Sequence, residues 1–229
     1  EAAGLAERLR LFDGGAGLRR APEADALAAR FPDLARDPQF LQAAVAFLLI
    51  KHRFASAVTL GPGSANVFLG DRDGDLELRQ LTLGFDQSHT DHQAAQAFMW
   101  HRVFTLVDHL IALLSAEPFD DHRSLWDQTV IYVATEFGRQ RRRPPDASVF
   151  STGHDANNGA LLISPRLRGN RVVGGVDPAT LRTFGARPGS WSPDPAAELD
   201  ASHVYATVLQ ALGVDTAGSG LPDMSGLIG

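Results

Sequence analysis

The sequence has 229 residues, a hydrophobic share of 44%, a charged share of 21% and a formal net charge of -6. A chain of this length and composition can bury a sizeable core, and its acidic balance argues against a nucleic-acid-binding protein. It contains no cysteine, which excludes thiol chemistry, disulfides and cysteine-based metal sites. It also has no run of 18 consecutive apolar residues, so we predict no transmembrane segment.

The first part of the chain, residues 1–54, is predicted to be a helical N-terminal segment. Its helical patterns are LAERLRLF, PEADALAARF and DPQFLQAAVAFLLIKHRF, and in the last of these Asp37 is the expected N-cap with Pro38 at the first helical position. A short strand is predicted next, over SAVTLG at residues 56–61. The alternating stretch NVFLGDRDGDLELRQLTLG then predicts a β-hairpin around its DGD turn.

The remaining elements indicate an α/β domain over residues 55–229. A helix is predicted over 92–115, and TVIYVAT at 129–135 is typical of a strand buried on both faces of a parallel sheet. ALLIS and RVVGGV predict two more strands, residues 178–195 a loop or small hairpin, and residues 196–212 a helix that ends at Gly213. The predicted fold is therefore a mainly parallel sheet sandwiched by helices.

Three polar clusters adjoin predicted strands, where α/β sheets place their ligands. They are FDQSHTDH at 85–92, EFGR at 136–139 and STGHDANNG at 151–159. We expect the three clusters to converge on one site.

The first cluster offers one carboxylate and two imidazoles, from Asp86, His89 and His92. Such groups suit zinc, manganese or iron, and the three side chains would share a face if one helix ran through them. Two alternatives stay open. Asp86 or Ser88 caps the following helix while the histidines are solvated, or the cluster performs acid/base chemistry without a metal.

The other two clusters add further candidates. Glu136 follows a buried strand, where its charge needs either a cation or a plain contact with Arg139. His154 is either a ligand or a loop histidine that bonds to backbone, and Asn157 and Asn158 either form a turn or donate to an oxyanion. The remaining histidines are interpreted as structural or surface residues; they are His52, His101, His109, His122 and His203.

These motifs carry a resemblance to a known family. FDQSH before a long helix, EFGR after a strand, and GHD followed by NNGALLISPRLRGNRVVGGVD together resemble the bacterial family called domain of unknown function 1501. That family is similar to the alkaline phosphatase and sulfatase superfamily, and the resemblance covers roughly residues 55–214. It implies an alkaline-phosphatase-like fold, of which this chain holds the C-terminal part without the first strand.

The resemblance also implies an activity, hydrolysis of phosphate or sulfate esters with divalent metal ions such as zinc, manganese or calcium. Arg139 would orient the anion. The implied metal ligands are Asp86, His89 (or His92 in its place), Glu136 and His154. Export to the periplasm or cell surface of a bacterium is implied as well.

The chain departs from the superfamily pattern in two respects. Phe137 stands where superfamily members often have a histidine, and no candidate nucleophile has motif support; the candidates are Ser88, Thr90, Ser151 and Thr152. The alternative function is therefore a catalytically inactive subunit or envelope-associated assembly protein. Its expected partner is an upstream fragment of the same precursor or another protein subunit. A polyanion-binding module that uses the arginines of RQRRR is a third interpretation.

Overall fold

The structure, a computed structural model, describes residues 23–31, 34, 37–61, 66–70, 76–80, 85–135, 138–139, 146, 151–155 and 157–229. It divides the chain into two compact units. Unit 1 comprises Glu1–Glu117 and Asp146–Ser151, and unit 2 comprises Pro118–Pro145 and Thr152–Gly229. The predicted domain boundary at residue 54 stays a prediction. The helix predicted over residues 5–12 lies outside the described residues.

Unit 1 contains the helices α1 (Ala24–Arg30), α2 (Pro38–Lys51) and α3 (His92–Ala116). The start of α2 is confirmed, since the Asp37 carboxylate accepts the backbone N–H groups of Gln39 and Phe40 while Pro38 occupies the first turn. The long helix predicted over 92–115 is confirmed too. Among the described residues α3 alone is long and apolar enough, by length and composition, to cross a membrane. The expectation of no transmembrane segment stays a prediction.

The helices of unit 1 pack around an aromatic cluster. The Phe31 ring is fully buried, and its centroid lies 5.3 Å from the ring of His109 in a T-shaped arrangement. Phe40 approaches the same imidazole at 6.0 Å. His109 therefore acts as a core packing residue, as its place in the helical pattern predicts.

An ion cluster ties the ends of the three helices together. The Lys51 ammonium lies 3.0 Å from a carboxylate oxygen of Glu23 and 3.0 Å from one of Glu117, and His52 Nε2 lies 3.5 Å from Glu23. Burial of Lys51 disfavours its charged form, but hydrogen bonds to Glu117 and Glu23 outweigh that effect and raise its pKa. This group, the Lys51 cluster, links the start of α1 to the ends of α2 and α3.

The predicted hairpin is confirmed by strands β1 (Asn66–Gly70) and β2 (Leu76–Gln80), which pair antiparallel from Asn66 opposite Gln80 to Gly70 opposite Leu76. The strand predicted over 56–61 is wrong, because that segment has no regular secondary structure. There the Gly61 N–H donates to the side-chain oxygen of Gln42 in α2 rather than to a strand.

The described residues of unit 2 form three antiparallel strand pairs. They join β3 (Ile131–Ala134) to β6 (Ala160–Ile163), β4 (Gly138–Arg139) to β5 (His154–Asp155), and β7 (Gly175–Val176) to β8 (Thr183–Phe184). No parallel pair occurs among the described strands, and the mainly parallel sheet stays a prediction. The strands expected at TVIYVAT and ALLIS are confirmed as elements. Tyr132 in β3 is 49% exposed, however, since two strands alone cannot cover both faces.

The last helix, α4 (Ala201–Ala211), begins five residues later than its predicted start at 196. The reason is the cap: the Asp200 carboxylate accepts the Ser202 N–H, and His203 Nδ1 reaches back to the Asp200 N–H in a capping box. Gly213 follows the helix with φ +80°, the left-handed conformation expected of a C-terminal glycine. A core cluster of Ala206, Met224 and Leu227 holds α4 against the 3₁₀ helix Ser225–Leu227.

Candidate functional site

In unit 1, the FDQSHTDH cluster does not form one continuous helix. A 3₁₀ helix spans Phe85–His89, the backbone becomes extended at Asp91, and α3 then begins at His92. Asp91 caps α3 by accepting the Ala94 N–H, so the expectation that Asp86 or Ser88 is the cap is wrong. His89 is exposed and His92 half-buried, on separate elements, and the Asp86 side chain lies outside the described residues.

Ser88 is held inside unit 1. Its side chain is fully buried, and its hydroxyl accepts a hydrogen bond from Gln96 Nε2 at 2.9 Å. Gln96 in turn accepts the indole N–H of Trp100 at 2.8 Å. Among the nucleophile candidates, Thr152 is also buried, at 3% exposure, whereas Thr90 and Ser151 are exposed.

In unit 2, the EFGR and GHD motifs meet through the pairing of β4 with β5. Arg139 stands directly opposite His154, and Gly138 opposite Asp155. Opposed residues of an antiparallel pair share a face, with Cβ atoms about 5 Å apart. The Arg139 guanidinium also donates to the backbone carbonyl of Thr152 at 3.4 Å. The structure thus brings together two of the predicted site residues, Arg139 and His154; Glu136 lies outside the described residues.

Gly138 is required for this arrangement. A Cβ atom at this position would lie 1.9 Å from Asn157 Oδ1 and 2.2 Å from the Asn157 carbonyl oxygen. Only glycine lets the backbone of β4 approach the ANNG segment so closely. The glycine of EFGR is therefore needed for the close packing of β4 against Asn157.

Asn158 connects two strands of unit 2. Its Oδ1 accepts the Thr135 hydroxyl at 2.6 Å, and its Nδ2 donates to the Thr135 carbonyl at 2.8 Å, at the end of β3. Its backbone N–H donates to the Thr183 hydroxyl of β8 at 3.3 Å. Asn158 thus links the end of β3 to β8. Sequence reasoning missed Thr135 and Thr183, which no local motif distinguishes.

An open cleft of about 450 Å³ adjoins this network, because Thr183 also lines it. Its other walls include Asp177, Arg182, Glu198 and Asp200. Hydrogen bonds from the Thr180 and Ala179 N–H groups lower the pKa of Asp177, and bonds from Ser202 and His203 lower that of Asp200 to about 2. The cleft wall therefore carries more negative than positive charge at neutral pH, which disfavours an anionic ligand.

The predicted metal ligands are divided between the two units. Asp86, His89 and His92 belong to unit 1, and Glu136 and His154 to unit 2. Within the part of the chain that the structure describes, no three histidine or acidic side chains group closely enough to hold a metal ion. Imidazole and carboxylate donors are nevertheless the types that zinc and manganese take. The full ligand set stays a prediction.

Comparison of the chain with protein-family models, with curated proteins and with solved structures gives no significant match.

Proposed function

We propose that this chain is an alkaline-phosphatase- and sulfatase-like protein, exported to the bacterial periplasm or cell surface, that hydrolyses phosphate or sulfate esters. The observation that carries the proposal is the placement of Arg139 opposite His154 on one face of the β4–β5 pair. A guanidinium matches the oxygens of a phosphate or sulfate group, and a neighbouring imidazole can hold a metal ion or move a proton.

Each residue has a distinct role in the proposed site. Arg139, fixed through its bond to the Thr152 carbonyl, orients the anionic group of the ester. His154 would be a metal ligand together with Glu136 of the same unit, and the resemblance adds Asp86 and either His89 or His92. A divalent metal bound there would supply Lewis acidity toward the ester oxygens.

The test is hydrolysis of p-nitrophenyl phosphate and p-nitrophenyl sulfate by the purified protein, with metal content measured by plasma mass spectrometry on the same sample. We expect His154→Ala to lose most of the bound metal and the activity. We expect Arg139→Ala to keep the metal but raise KM, because it removes anion binding alone. His122→Ala, at an exposed histidine of the same unit, is the control. Full retention of metal and turnover in His154→Ala would contradict the proposal.

A glycine substitution tests the geometry without removing a functional side chain. We expect Gly138→Ala to reduce turnover by about tenfold or more, because the added methyl group clashes with Asn157 and shifts Arg139 from His154. Gly159→Ala is the matched control, since a Cβ atom there meets nothing within 4 Å. Equal activity of the two variants would show that turnover does not depend on the close packing at Gly138.

The second candidate function is a catalytically inactive subunit or envelope-associated assembly protein. The burial of Ser88 and Thr152 favours it, since a buried hydroxyl cannot attack a substrate. It predicts no turnover of either ester with any added divalent metal, together with stable co-purification of an upstream fragment or a second protein subunit. Ester hydrolysis by the unsubstituted protein that is lost in His154→Ala would instead support the hydrolase.

A further inference from the structure

Residues 185–197 of unit 2 form a small hairpin, here called the Trp191 hairpin. Its base is closed by the Gly185 N–H, which donates to the Ala197 carbonyl at 2.7 Å, and by the Asp194 N–H, which donates to the Gly185 carbonyl at 3.1 Å. Its tip is closed by the Arg187 and Trp191 N–H groups, which donate to Ser192 and Arg187 carbonyls. The Trp191 side chain packs against the core cluster of Ala206, Met224 and Leu227 and so anchors the tip to the rest of the unit.

The Trp191 anchor carries two energetic penalties. Its backbone has φ +58°, in the left-handed region that is unfavourable for a bulky residue. Its indole N–H is buried and has no hydrogen-bond acceptor within the described residues. A buried donor without a partner loses the hydrogen bond that water would give it. The second penalty is relieved when the ring leaves the space that it fills, here called its seat, and the indole N–H meets water.

The space that holds the Trp191 ring is narrow. A Cβ atom at Gly226 would lie 2.6 Å from the Trp191 indole nitrogen. Gly226 therefore admits the indole ring, and any larger residue would displace it.

We propose that the Trp191 hairpin is a releasable flap, which opens by withdrawal of Trp191 while the rest of unit 2 stays folded. The cleft lies beside its base: Phe184 directly precedes the hairpin, and Pro195 belongs to it. Rotation about the base moves Pro195 relative to Phe184, so the flap controls the width of the cleft. The packing of Trp191 against the cluster of Ala206, Met224 and Leu227 holds the closed state, and the unpaired indole N–H makes local opening cheaper than unfolding.

Chymotrypsin tests the flap directly, because it cleaves after Trp191 only when the ring has left its seat. The bond after Tyr205 within α4 is the internal reference, since its cleavage requires that helix to unfold. Cleavage of both bonds is followed by mass spectrometry on the full chain at increasing urea. We expect the bond after Trp191 to be cut without urea and with a weak urea dependence, and the bond after Tyr205 to follow global unfolding.

A pair of glycine variants sharpens the test. We expect Gly226→Ala to accelerate cleavage after Trp191 by about tenfold or more, since it destabilises the closed seat. Gly169→Ala, where a Cβ atom meets nothing within 4 Å, should leave the rate unchanged. Equal rates in the two variants would overturn the proposal. So would identical urea dependence of the two bonds in the unsubstituted protein, a comparison that holds even if Gly226→Ala fails to fold.

Discussion

At the residue scale, two tryptophans show how the same side chain can stabilise or strain a fold. The Trp100 indole N–H donates to Gln96 at 2.8 Å, whereas that of Trp191 is buried without an acceptor among the described residues. Both side chains are half-buried. The difference lies in hydrogen bonding.

We predict that Trp100→Phe lowers the free energy of unfolding by about 1 to 2 kcal/mol more than Trp191→Phe does. The first substitution removes a satisfied hydrogen bond, and the second removes an unsatisfied donor. Urea denaturation followed by far-UV circular dichroism measures both variants against the unsubstituted protein. A larger loss in Trp191→Phe would show that its indole N–H has a partner.

At the element scale, Asp37 both caps α2 and holds it against α3. The carboxylate accepts two backbone N–H groups of α2 and forms an ion pair with Arg102, which also donates to the Gln39 side chain. The side chains of Asp37 and Arg102 are only 10% and 17% exposed. Loss of the carboxylate would therefore leave the guanidinium without its counter-charge in a largely buried position.

We predict that Asp37→Ala lowers the free energy of unfolding by about 3 kcal/mol. Loss of the cap accounts for about 1 kcal/mol, and the Arg102 guanidinium left without its counter-charge accounts for the rest. Asp37→Asn keeps the cap and should lose about 2 kcal/mol. Chemical denaturation of the two variants gives the comparison. Equal losses in the two variants would mean that the cap contributes nothing beyond the charge of Asp37.

The cap of α4 makes the stability of unit 2 sensitive to acid. Bonds from Ser202 and His203 hold the pKa of Asp200 at about 2, below its ordinary 3.8. Because the folded-state pKa is the lower one, the carboxylate stabilises the fold fully above about pH 4 and loses that effect as the pH falls toward 2.

We therefore predict that the free energy of unfolding falls more steeply between about pH 4 and pH 2 in the unsubstituted protein than in Asp200→Asn. Asparagine retains a capping oxygen but does not titrate. Thermal or urea denaturation across this range measures the two slopes. Parallel curves would show that Asp200 contributes no pH dependence.

At the scale of the whole molecule, the helices were predictable and much of the strand pairing was not. Helices α2 and α4 carry local signals, Asp37 with Pro38 at one start and Gly213 after the other end. Strands depend on distant partners. Neither β4 nor β5 exceeds two residues, too short for any periodic pattern, and the predicted strand at 56–61 found no partner.

The candidate site divides in the same way. Arg139 and His154 were predicted from motifs at strand ends, and the structure pairs them. The bonds of Asn158 to Thr135 and Thr183 span 23 and 25 residues of sequence, and hydroxyl groups this ordinary give no local signal. One continuous helix through His89 and His92 was expected, and this was wrong. The backbone is extended at Asp91, whose side chain caps α3, so the two histidines lie on separate elements.

The Lys51 cluster has a practical consequence, because Lys51 is the single lysine of the sequence. Its ammonium is engaged by Glu23 and Glu117, and only a free, neutral ε-amine reacts with an acylating reagent. Acylation of that one side chain therefore reports how often the ends of the three helices separate. We expect slow acylation in the native protein and fast acylation in Glu117→Gln. The acylation rate of Lys51 would then measure the rate at which the helix ends of unit 1 open.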